Sequence, residues 1–145
     1  MARDTLQIVA WLRQRGVDEV RQALAESVSA AALADTHARA AEREIEQETQ
    51  HASDPDGDDA LVEAFAAWLP AARLRAVQAR QVFERCEADV GLRRAELAAC
   101  RSALEAINTM IEQRRLTELS QEARRVQRLL DELGGRGMND DEPRP

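Results

Sequence analysis

Apolar residues recur at alternating steps of three and four along two long stretches of the chain, which is the heptad pattern of a coiled coil. In the first stretch this seam lies at Val17, Val20, Leu24, Ser27, Ala31, Ala34, Ala38, Ala41 and Ile45. In the second stretch it lies at Leu61, Phe65, Trp68, Ala72, Ala79, Phe83, Cys86, Val90, Leu97, Cys100, Leu104, Ile107 and Ile111. The pattern predicts two long amphipathic helices, the first with mostly small seam residues.

A short polar segment between the two stretches predicts one tight turn at 53–58. It reads Ser-Asp-Pro-Asp-Gly-Asp and combines a Pro that fixes φ with Asp side chains that cap helices. Helix 1 is predicted at about 4–50 and helix 2 at about 59–133, with a kink at Pro70, whose ring disturbs the preceding turn. The glycines at 134, 135 and 137 predict the end of helix 2, and the acidic tail 139–145 is expected to be disordered.

Folding the chain back about residue 55 or 56 sets the two seams against each other. Leu24 then lies opposite Cys86, and Leu6 lies opposite Leu104. The two seams meet in register, and the mostly small seam of helix 1 faces the bulkier seam of helix 2. The predicted fold class is all-α: two long helices form an antiparallel coiled-coil hairpin, and residues 1–138 are one domain. Composition agrees, because Ala, Leu, Glu and Arg favour helices and aromatic residues make up only 3% of the chain.

Helix 2 is predicted to be longer than helix 1 and to overhang it. Under this pairing helix 1 ends opposite residue 110, and after Ile111 the apolar positions change phase to Leu116, Leu119, Ala123, Val126, Leu130 and Leu133. Arginines flank this stripe at 114, 115, 124, 125 and 128. The apolar stripe is compatible with a heterologous partner, with self-association or with fraying. The basic face is compatible with binding to an acidic partner surface or with simple solvation.

The sequence contains little that points to chemistry. A net charge of −7 disfavours nucleic-acid binding, and no phosphate loop or hydrolase motif is present, so no catalytic residues and no enzyme are expected. The two His residues and the cysteines 86 and 100 lack the spacing of a metal or redox site, so no metal and no cofactor are expected, and the cysteines are interpreted as small seam residues. No stretch resembles a signal peptide or a membrane span, which predicts a cytoplasmic protein without direct membrane insertion.

The hairpin and the opening sequence Thr5-Leu6-Gln7-Ile8-Val9, followed by Leu12-Arg13, Glu19, Arg21 and Leu24, resemble a known family. They are similar to the FliJ-type proteins of flagellar export and to their SctO or YscO relatives in type III secretion. The resemblance implies a cytoplasmic stalk, peripheral to the inner-membrane export apparatus, that links a hexameric export ATPase to the cytoplasmic domain of the export gate. It also implies export chaperones as further partners, and it leaves the choice between flagellum and injectisome open.

The resemblance assigns the two ends of the hairpin to different partners. In the family a Phe, a Leu and an Ala at steps of four and three early in helix 2 touch the gate, and the matching contact is expected at Phe65, Trp68, Leu69 and Ala72. The ATPase contact is expected at Arg114, Arg115, Leu116, Leu119, Arg124, Arg125, Val126, Arg128, Leu130 and Leu133. The alternative function is a coiled-coil chaperone, escort or adaptor that binds other helical proteins.

Overall fold

The structure, a computed structural model, describes residues 2–138 and gives the side-chain burial of residues 5–135. It contains two α-helices, α1 at Ala2–Ala52 and α2 at Asp59–Met138, and no strand occurs within 2–138. Helix α2 has 80 residues and α1 has 51, so the all-α prediction with a longer second helix is confirmed. The predicted acidic tail at 139–145 lies outside the described residues.

The connection between the helices is held by the aspartates that the sequence places there. The backbone N–H of Asp56 donates to the Asp54 carboxylate at 3.1 Å, and the N–H of Ala60 donates to the Asp58 carboxylate at 3.4 Å. Asp58 is therefore the N-cap of α2. Gly57 does not have a positive φ; its role is close approach, since a Cβ there would lie 3.0 Å from the Asp54 carbonyl oxygen.

One local prediction about α2, the position of its end, needs correction. The helix continues through Gly134 and Gly135 to Met138, and no glycine within 2–138 has a positive φ, so the predicted glycine cap is wrong. Glycine ends a helix only when its backbone turns left-handed, and with helical φ it merely costs about 1 kcal/mol relative to Ala. Pro70 also lies inside the helix, which stays α-helical on both sides, so the proline does not break α2.

Contacts divide the chain into two compact units. The turn unit, Arg15–Arg101, contains the turn and the antiparallel pairing of α1 with the first half of α2. The terminal unit contains Met1–Gln14 and Ser102–Pro145, so it joins the beginning of α1 with the last part of α2.

The core of the turn unit consists of small side chains. The residues less than a tenth exposed are Val17, Ala31, Ala34, Ala38, Ala72, Ala76, Val90 and Leu97. Five of these eight are alanines, and an alanine is buried only where the facing helix comes close. All nine predicted seam residues of α1 are buried or half-buried, and in α2 only Leu61 is exposed. The sequence analysis missed Ala76, which is also buried.

Polar contacts between the helices of the turn unit show their axial register. The Ser27 hydroxyl donates to the Asp89 carboxylate at 2.5 Å, whereas folding about residue 55 or 56 would place Ser27 level with residues 83–85. The predicted register is therefore displaced by about five residues here. A stripe of similar small residues does not distinguish neighbouring registers, whereas a hydrogen bond between two particular side chains does.

Candidate interaction sites

The last part of α2, in the terminal unit, carries an exposed apolar stripe. We call it the C-terminal stripe; its predicted members are Leu116, Leu119, Val126, Leu130 and Leu133, and each is more than half exposed. Leu129, which the sequence analysis did not include, is 59% exposed beside them. Side chains of this size contribute about 1.5 to 3 kcal/mol each when they are fully buried, so the stripe leaves a large amount of apolar burial unused.

The beginning of α1 extends further along α2 than predicted. A groove in the terminal unit is lined by Leu6, Gln7, Ile111, Arg114, Arg115 and Glu118. Leu6 therefore borders the same groove as Ile111, which lies further along α2 than the predicted partner Leu104. As a consequence the part of α2 beyond the reach of α1 begins after about Glu118, later than the predicted residue 112.

Three arginines beside the C-terminal stripe contact residues of their own helix. Arg114 lies 3.9 Å from Glu118, Arg115 lies 3.9 Å from Glu112, and Arg128 donates to the Arg124 carbonyl at 3.3 Å. Exposed ion pairs one turn apart contribute little to stability, about 0.3 to 0.5 kcal/mol. A partner with acidic groups could therefore replace these contacts at small cost.

The sequence analysis missed a second exposed apolar patch, on the first turns of α1. Ile8, Trp11 and Leu12 are 57%, 57% and 55% exposed, and their spacing of three and four places them on one helix face. That spacing was visible in the sequence. The predicted seam of α1 begins at Val17 and lies on the opposite face of the helix, so it does not include these three residues.

Near the turn, the predicted gate residues have different surroundings. Phe65, Trp68 and Leu69 are half-buried, and the ring centroids of Phe65 and Trp68 are 5.9 Å apart with a tilt of 38°. Ala72 is only 3% exposed and belongs to the interhelical core. The structure thus brings three of the four residues to the surface together, and it places Ala72 beneath them.

A groove runs beside these aromatic rings. We call it the turn groove; it is lined on α1 by Glu44, Glu48 and Ala52, and on α2 by Leu61, Ala64, Phe65 and Trp68. The two glutamates are one helical turn apart and lie across from the two rings. Sequence reasoning did not find this groove, because it joins residues of different helices and depends on how the helices pair.

Further from the turn, Arg80 connects the two helices. Its guanidinium donates to both oxygens of the Glu42 carboxylate at 2.6 and 2.8 Å and lies 3.9 Å from Asp35. The same group lies over the Phe83 ring, 5.6 Å from its centroid. The hydrogen bond to Glu42 raises the pKa of Arg80 above its ordinary value, so this cation persists at any physiological pH. We call this cluster the Arg80 clamp.

Residues 2–138 contain no group of three His, Cys, Asp or Glu side chains that could hold a metal ion. No helix among the described residues is both long and apolar enough to cross a membrane. Cys86 and Cys100 are unbridged and half-buried, at the seam positions that the sequence assigned to them.

A family model described as "Flagellar FliJ protein" matches residues 2–142, which is nearly the whole chain. No curated protein and no solved structure matches it.

Proposed function

Because the chain belongs to the flagellar FliJ protein family, and is thus a FliJ-type flagellar export protein, we propose that it couples a hexameric export ATPase to the export gate. In this role it has no catalytic activity of its own and acts at the cytoplasmic face of the inner membrane. The observation that best supports the proposal is the C-terminal stripe, because it offers a helix-sized apolar surface that the described chain leaves uncovered.

The terminal unit is the proposed ATPase contact. A stripe of leucines flanked by arginines suits a partner surface of mixed apolar and acidic residues. The proposed contact residues are Arg114, Arg115, Leu116, Leu119, Arg124, Arg125, Val126, Arg128, Leu130 and Leu133. Most of the binding free energy of this contact would come from burying the leucines, while the arginines would set the orientation and specificity of binding.

A pair of substitutions tests this contact. Val126→Asp with Leu130→Asp should weaken binding to the ATPase by 100-fold or more, since burying a charge in an apolar contact costs roughly 3 kcal/mol or more. Gln121→Asp is the control, because it places one such charge on the opposite face of the same helix. Both proteins should keep the helical circular dichroism of the wild type, since the substituted residues are exposed.

The measurement is the binding of each protein to the purified ATPase, together with the rate of ATP hydrolysis. Equal binding by the double variant and the Gln121 control would contradict the assignment of this end. Loss of binding to an export chaperone, with ATPase binding intact, would instead favour the chaperone, escort or adaptor function.

The turn end is the proposed gate contact, centred on Phe65, Trp68 and Leu69. Leu69→Asp should reduce binding to the cytoplasmic domain of the gate by tenfold or more while the helices remain intact. Ala67→Asp is the control, because Ala67 is exposed on the other side of α2. A pull-down in which both variants bind the gate equally would remove this assignment and leave the ATPase contact untouched.

A further inference from the structure

The negative charge of the chain is concentrated around the turn. Residues 44–72 contain eight Asp or Glu residues and no Arg or Lys. The remainder has 19 acidic and 20 basic residues, so the whole excess of negative charge comes from this segment. The turn end therefore attracts cations, and the turn groove is the concave surface within it.

The two glutamates of the turn groove have no partner of opposite charge. Within the described residues neither Glu44 nor Glu48 makes an ion pair or a side-chain hydrogen bond. Across the groove, the rings of Phe65 and Trp68 supply an apolar wall 5.9 Å from centroid to centroid. The groove thus combines two carboxylates and two aromatic rings.

The Arg80 clamp in the same molecule shows what fills such an arrangement. There a carboxylate of α1, Glu42, and a ring of α2, Phe83, hold one guanidinium between them. The turn groove has the same kinds of group, carboxylates on α1 and rings on α2, but the chain has no arginine between residues 44 and 72 to place there.

We propose that the turn groove binds an arginine side chain presented by a helix of a partner protein. The guanidinium would pair with Glu44 and Glu48, and its flat face would lie against Phe65 or Trp68. Arginine suits the groove better than lysine, because its planar group can hydrogen-bond a carboxylate through two N–H groups and stack on a ring at the same time. The inference goes beyond the proposed function, since it names the side chain that is recognised and does not depend on the gate being the partner.

A second copy of the chain does not fit this groove as well as another protein does. A symmetric dimer through the turn ends would bring the same acidic segment of each copy against the other, and like charges would repel. Charge thus disfavours that dimer, and the proposed occupant is a basic segment of a different protein.

The test uses the full chain with Trp11→Phe, so that Trp68 is the only tryptophan and its fluorescence reports on the groove. The probe is an alanine-rich helical peptide with two arginines one turn apart. The reference peptide has citrulline, an uncharged analogue of similar shape, at both positions. We expect the arginine peptide to change the Trp68 emission and to bind about tenfold more tightly than the citrulline peptide, with the difference shrinking between about 0.1 M and about 1 M salt.

Matched variants locate the binding. Glu44→Gln with Glu48→Gln should reduce affinity for the arginine peptide about tenfold, whereas Glu46→Gln, on another face of α1, should leave it unchanged. Equal affinity for the two peptides would overturn the proposal, and so would an equal effect of the double variant and the control. The last measurement is sedimentation of the protein alone. If the protein self-associated and the double variant abolished this self-association, a second copy would be the occupant and the proposal would be overturned.

Discussion

The fully buried Ala38 provides the sharpest test of the close helix packing in the turn unit. Ala38 is 0% exposed, and Ala34, Ala72 and Ala76 are all less than a tenth exposed in the same core. Ala38→Leu adds a branched chain of three carbon atoms where no space is left, so the helices must separate or the leucine must adopt a strained rotamer. Ala40→Leu is the control, because Ala40 is exposed on the same helix.

The size of the effect follows from general values for overpacked cores. Adding carbon atoms to a well-packed core costs roughly 1 to 3 kcal/mol. Since Ala and Leu differ only slightly in helix propensity, the control should change stability by about 0.3 kcal/mol or less. For a chain of 145 residues, roughly 3 °C corresponds to each kcal/mol, so Ala38→Leu should lower the melting temperature by about 3 to 9 °C.

Thermal unfolding followed by far-ultraviolet circular dichroism measures both variants against the wild type. The unfolding should be checked for a single transition, because the temperature shift has this meaning only then. If Ala38→Leu and Ala40→Leu melted at the same temperature, the alanine core would not be closely packed, and the reasoning from alanine burial would be refuted.

Two further predictions concern the same unit. Leu97 is 7% exposed and Leu92 is 70% exposed. In denaturant unfolding, Leu97→Ala should therefore destabilise the protein by about 2 to 4 kcal/mol, and Leu92→Ala by less than about 0.5 kcal/mol. Similar values for the two variants would contradict the assigned burial. Arg80→Lys should lower the melting temperature because an ammonium cannot bind both oxygens of Glu42 and stack on a ring together, whereas the exposed Arg85→Lys should not. The loss of stability caused by Arg80→Lys should shrink at high salt. It should be the same throughout the physiological pH range, because the charged guanidinium stops stabilising the fold only when the pH rises to its raised pKa.

The surfaces were predictable to different degrees. The C-terminal stripe was visible in the sequence as a change of heptad phase, because exposure there follows from the length of α2 alone. The turn groove was not visible, since Glu44 and Glu48 acquire a functional setting only when pairing places them across from Phe65 and Trp68. Ala72 has the sequence spacing expected for the gate contact, but it is buried between the helices. The spacing of residues along one helix does not show which of them the other helix covers.

The sequence by itself determined that the chain forms two helices, where they are joined and which faces they bury. These are local properties: the heptad repeat, the high helix propensity of Ala, Leu, Glu and Arg, and the aspartates that cap α2 at Asp58 act over one or two turns. Only the tertiary structure decided the register. A seam of small apolar residues differs little between neighbouring registers, and the pairing is displaced from the predicted one both at Ser27 and at Leu6. The choice falls to particular partners such as Ser27 with Asp89, whose contact exists in one register alone.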